Sequence, residues 1–121
     1  MSKLYKRGAL PEVAPVIIND VEYSAIHWGD EIGERQNGGY VVAKDLANNT
    51  RLWVLKVYTT LYDGRKEMDT QDVFITKLAA TSGKLRVVDE LERQFMIDLE
   101  TRAITQTRPK PNPQQKRTTA V

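Results

Sequence analysis

The sequence predicts an all-β fold: about seven antiparallel strands in meander order, arranged as a small barrel, a curled sheet or a compact sandwich, with disordered basic tails. Three observations predict it. Runs rich in β-branched and aromatic residues recur along the chain, the strongest being RLWVLKVYTTLY from Arg51 to Tyr62. Clusters of Gly, Asn, Asp and Ser separate those runs. At 121 residues with 40% hydrophobic content, the chain is the size of one domain with one core.

The elements follow in order. PVIIND and VEYSAIH form a tight hairpin around Asn19-Asp20, a pair that tolerates the left-handed turn conformation. On its second arm Val21, Tyr23 and Ala25 share one face, with His27 by parity, and Glu22 and Ser24 share the other. GGYVVAKDLA is a third strand, and NNT turns the chain. RLWVLKVYTTLY is apolar on both faces, with Leu52, Val54 and Tyr58 against Trp53, Leu55 and Val57. That pattern predicts a central place in a sheet. DGRKEMDT is a polar loop, DVFITKLAA a fifth strand and TSGK a turn. LRVVDE and RQFMIDL make a last hairpin, with Phe95, Ile97 and Leu99 on one face and Gln94, Met96 and Asp98 on the other.

A helical alternative stands beside that hairpin. Val87, Leu91, Phe95, Leu99 and Ala103 recur every four residues, which would make residues 84–104 a helix and the fold α+β. The β-patterned segments upstream favour strands. No internal repeat is evident along the chain.

The segment GGYVVAKDLANNTRLWVLKVY resembles a strand pair from a quinoprotein-type β-propeller blade. Tyr40, Asp45, Leu52 and Trp53 stand at the aromatic, Asp and Leu-Trp places of that repeat. The turn departs from the usual Thr-Gly and carries Asn48, Asn49 and Thr50 instead. The resemblance implies a β-hairpin here, and neither a cofactor nor an activity.

Residues 1–14 read as a flexible N-terminal segment, 15–105 as a single β domain and 106–121 as a disordered tail. The tail has three prolines at alternate positions and too few apolar residues to offset its ordering entropy. The formal net charge of +2 hides a split. Lys3, Lys6 and Arg7 at one end, and Arg108, Lys110, Lys116 and Arg117 at the other, have no acid among them; all 16 acids lie between. Basic tails offer contacts to phosphates, but the acidic body opposes close approach of nucleic acid. The final TTAV fits the general form of a C-terminal PDZ ligand at Thr119 and Val121.

The chain lacks cysteine, which excludes disulfides, thiol catalysis and thiolate metal sites. No apolar run approaches the ~20 residues of a membrane span, and the N-terminus lacks a signal-type apolar region. A cytoplasmic location with no membrane association is therefore expected. No phosphate loop, dinucleotide fingerprint or nucleophile elbow is present.

The candidate site is the stretch AIHWGDEIGE with RQNGG behind it. It holds the single histidine, His27, which as a general base or metal ligand would work with Asp30, Glu31 or Glu34. One histidine with neighbouring carboxylates has no recognised ligand spacing. The plainer expectation is a half-buried histidine at a strand end. The glycine-rich loop after it suits recognition, with Trp28, Asp30, Glu31, Glu34, Arg35 and Tyr40 as binding residues. Asp63, Glu67, Asp69 and Asp72 form a second acidic group, expected to be exposed. The sequence thus points to a small non-catalytic β domain that binds a protein partner through residues 28–39 and needs no cofactor or metal. The alternatives are a metal-binding or acid–base enzyme centred on His27, and a self-associating β protein.

Overall fold

A computed structural model of the chain describes residues 9–66 and 70–107. Among these described residues, eight strands fold as two open four-stranded antiparallel meanders. The first sheet holds β1 (Val16–Ile18), β2 (Val21–Ile26), β3 (Tyr40–Asp45) and β4 (Thr50–Lys56). The second holds β5 (Ile75–Thr81), β6 (Lys84–Asp89), β7 (Gln94–Asp98) and β8 (Ile104–Thr107). Neither sheet closes on itself, so of the three expected architectures the small barrel is absent and the layered one is present. Among the described residues no helix is long and apolar enough to cross a membrane.

One core lies between the sheets. The first contributes Tyr23, Val41 and Ala43, the second Ile75, Leu78, Leu85, Val87, Phe95 and Ile97. Val57 and Tyr58, just beyond β4, complete it. The alternation read from the sequence places these residues: Val21, Tyr23 and Ala25 do face inward, as do Phe95, Ile97 and Leu99.

The expected β6–β7 hairpin is present and the helical alternative for residues 84–104 is excluded: the strands pair in register from Lys84↔Asp98 to Val88↔Gln94. Two expectations are corrected. An eighth strand, β8, pairs with β7 where no strand was expected. Its residues Ile104–Thr107 are exposed or half-buried, so they carry little hydrophobic signal. β4 is an edge strand, not a central one. Its two-sided apolar pattern has another cause. Trp53 and Leu55 pack on the core, while Val54 lines a groove on the opposite face.

The two sheets repeat one plan that the sequence conceals. Each opens with a two-residue hairpin turn at positive φ, Asn19-Asp20 and Ser82-Gly83. Counted from those turns, the next two strands pair identically. Val21↔Asp45 corresponds to Lys84↔Asp98, Glu22↔Lys44 to Leu85↔Ile97, and Ser24↔Val42 to Val87↔Phe95. The third hairpin is also shared. Asp45 accepts the N–H groups of Ala47 and Asn48, and Asp98 those of Glu100 and Thr101. Four residues beyond each, Asn49 and Arg102 adopt positive φ. The hairpin implied by the propeller-blade resemblance is thus present as β3–β4, and β7–β8 has the same turn.

The inward faces are of opposite parity. Ile18 and Val21 beside the first turn pack on the core, whereas Thr81 and Lys84 beside its counterpart are exposed. The sheets therefore stack front to back.

The largest departure from the plan is the connection between its second and third strands. Between β6 and β7 the chain turns over residues 90–93. There Asp89, 1% exposed, accepts the N–H groups of Leu91 and Arg93 through Oδ1. Its Oδ2 accepts the Arg93 Nε–H at 2.6 Å, and the guanidinium lies over the Tyr58 ring. At the matching place between β2 and β3 the connection is residues 27–39.

Candidate functional site

The long connection begins where β2 ends. His27 donates its Nε2–H to the Pro11 carbonyl at 2.8 Å. The His27 Nδ1 is buried without a hydrogen-bond partner among the described residues. The imidazole stands edge-on to Phe74, and Trp28 makes a second edge-on contact with the same ring. His27 thus ties the N-terminal segment to the strand end. Trp28 is half-buried beside it.

From Gly29 to Ile32 the chain makes one 3₁₀ turn, closed by Gly33 in the left-handed region at φ 75°. Asp30, Glu31, Glu34 and Arg35 are all exposed along this stretch. The chain then dives inward. Gln36 is buried and its amide is fully used: Nε2–H groups donate to the Gly38 and Tyr58 carbonyls, and Oε1 accepts the Thr60 N–H at 2.7 Å. Asn37 Oδ1 accepts the Gly29 N–H, closing the loop on itself, and its Nδ2 donates to Asp72. Tyr62 ties the base of the loop, accepting from the Asn37 N–H and donating to Asp72 Oδ1 at 2.6 Å. Burial, and then the bond to Asp72, push the Tyr62 hydroxyl well above its ordinary pKa, so it remains a donor.

The glycines give the reason for GG in the sequence. Gly38 has φ 79°, and a Cβ there would stand 2.1 Å from the Val73 carbonyl oxygen. Gly39 has φ 91° and presses on the Tyr58 ring. Only a bare backbone lets the loop close this tightly on the 57–74 connection.

Tyr40 follows as the first residue of β3. It is 1% exposed, and its hydroxyl donates to the Gln36 carbonyl at 2.9 Å. It points to the outer face of the first sheet with its cross-strand partner Lys56. The loop folds over that face. Ile32, Glu34, Tyr40, Arg51, Val54 and Lys56 enclose a groove of about 160 Å³ between loop and sheet. Burial and the nearby Glu34 charge raise the Tyr40 pKa.

Of the residues expected to bind, Glu34 and Tyr40 meet in this groove, Asp30, Glu31 and Arg35 stand on the loop's outer surface, and Trp28 packs at its root. Arg51, Val54 and Lys56 were not foreseen. They are distant in sequence, and only the β3–β4 register brings them under the loop. Gln36 and Asn37 were also missed, although polar residues before a glycine pair are a signal of a tied-down loop. Among the described residues no group of three His, Asp or Glu side chains is placed to hold a metal ion.

The second acidic group divides. Asp72 is 5% exposed, contrary to the expectation of an open polar loop, because it anchors Tyr62 and Asn37. Asp63 caps its own turn through the Arg65 N–H. Glu67, Asp69, the basic residues of both tails and the terminal TTAV lie outside the described residues.

No protein-family model matches the chain, and no curated protein matches it.

Proposed function

We propose that the chain is a non-catalytic β domain that recognises a protein partner through residues 28–39. The observation that carries this reading is the break in the repeated plan. A tight turn serves at residues 90–93, so the fold has no need of the longer connection at the same place in the first sheet. The extra chain is held in one shape by the buried Gln36 amide, the Asn37 bridge and the three positive-φ glycines Gly33, Gly38 and Gly39. Fixing a loop before it meets a partner lowers the entropy cost of binding. Its exposed side chains Asp30, Glu31, Glu34 and Arg35 give it a charged rim suited to partner selection. The His27-centred alternative gains no comparable support, since the imidazole is committed to Pro11 and Phe74.

The test must spare the fold. Trp28 packs on Phe74, so its removal would confound folding with binding. Glu31→Lys with Arg35→Glu alters exposed side chains alone. Affinity capture from the host extract should recover a protein with the wild type that this double variant loses while keeping its melting temperature. Identical capture by both proteins would overturn the reading.

A further inference from the structure

We propose that the outer edge of β4, with the groove beside it, docks an extended acidic strand of the partner. This rests on the reading of residues 28–39 as a protein-recognition surface and adds the chemistry of what that surface receives.

The sheet edges point to β4. An edge strand presents a row of unpaired backbone groups, a template for another strand. The edges β1 and β5 lie against each other across the two sheets. The edge β8 is only four residues long. β4 has seven residues and pairs on one side only, with β3. Its turn-proximal end is blunted by the irregularity opposite Ala43/Lys44, where Leu52 is displaced from the register. From Trp53 to Lys56 the pairing is regular and the edge is smooth.

The groove fixes what kind of strand fits. At about 160 Å³ it is well below the roughly 300–1,000 Å³ of small-molecule pockets, and suits one or two side chains. Its floor is apolar, from Val54, Ile32 and the Tyr40 ring. Its β4 wall is cationic, from Arg51 and Lys56, with Lys44 opposite Arg51 on the same face. Among the described residues neither Arg51 nor Lys56 has an ion-pair partner. Guanidinium and ammonium groups flanking an apolar floor call for carboxylates alternating with an apolar side chain, the spacing of one face of a strand. Glu34 on the loop wall sets the limit, because it repels a carboxylate placed toward the loop and so fixes the register.

The experiment uses the full chain and three short synthetic peptides: an alternating Glu-Val strand, its Lys-Val counterpart, and the Glu-Val strand methylated at alternate backbone nitrogens. Binding is followed by calorimetry and by hydrogen exchange of the β4 amides. The Glu-Val peptide should bind and slow exchange across Trp53–Lys56. Methylation should abolish binding, because edge pairing needs the peptide's N–H groups. Arg51→Glu with Lys56→Glu should weaken it by about tenfold or more and favour the Lys-Val peptide instead. Equal binding of both peptides, indifference to methylation, no binding, or displacement of the peptide by inorganic phosphate alone would each overturn the proposal. The two readings fail separately. If the partner lost by the Glu31/Arg35 variant is still captured by the Arg51/Lys56 variant, the β4 proposal falls and the loop reading stands.

Discussion

At the scale of single residues, aspartates do more for this fold than their surface positions suggest. Asp45 and Asp98 each end a strand and gather the N–H groups of the turn that follows. The side chain of Asn48, then the backbone of Ala47 and Asn48, hold the Asp45 carboxyl below its ordinary range. For Asp98 the backbone N–H groups of Thr101 and Glu100 do so. A carboxyl with a depressed folded pKa adds stability above its unfolded value and loses it as pH falls through the folded one. The contribution should be intact at about pH 6 and begin to fall only below about pH 4, the unfolded aspartate range, declining further toward the lower folded values. Asp45→Asn with Asp98→Asn removes the titration while retaining a side-chain oxygen acceptor. Urea midpoints should then fall less between about pH 6 and about pH 3 for the double variant than for the wild type. Equal losses in both proteins would show that the turn aspartates do not set the acid sensitivity.

At the scale of elements, the connection from His27 to Gly39 is the part whose shape depends on backbone freedom. Gly33 and Gly38 both have positive φ, but a Cβ at Gly33 meets open space and one at Gly38 meets the Val73 carbonyl. Gly33→Ala should therefore cost only the conformational strain, about 1 kcal/mol. Gly38→Ala adds a backbone collision and should cost about 2–4 kcal/mol, with faster hydrogen exchange across the loop. Equal costs would mean that the loop is not pressed onto the 57–74 connection. Such packing is hidden from the sequence, which nonetheless marked the loop itself. Strands with a buried face were legible because Val21, Tyr23, Ala25 and Phe95, Ile97, Leu99 alternate. β8 was not, since its exposed Thr and Gln residues do not alternate in hydrophobicity. The edge position of β4 was misread because two-sided apolarity has two sources, a central strand or a covered groove, and periodicity cannot separate them. The groove itself was illegible for a related reason: Arg51 and Lys56 join Glu34 only through pairing.

At the scale of the whole molecule, the repeated plan raises the question of why stacking stops at two sheets. Sheets that stack front to back leave two open faces of complementary kind, and heterologous contacts of that sort propagate into rings or filaments. Four-stranded meanders are also the unit from which propellers are built. Side-chain chemistry on the open faces opposes propagation. Glu22 and Lys44 pair where Leu85 and Ile97 pair in the second sheet, and Ser24 stands where Val87 is fully buried. On the far side Lys84 and Arg86 occupy the places of Val21 and Tyr23. Polar outer faces of this kind cap a stack. The bases Lys44, Arg51 and Lys56 thus have two consequences: they disfavour stacking against the far face of a second copy, which carries Lys84 and Arg86, and they attract an acidic strand. The wild type should sediment as a monomer at micromolar concentration. Glu22→Leu, Ser24→Val and Lys44→Ile together rebuild on the first sheet the inward chemistry of the second, and should produce concentration-dependent oligomers. If the wild type already forms rings or filaments, or the triple variant remains monomeric, then shape rather than polarity ends the stack.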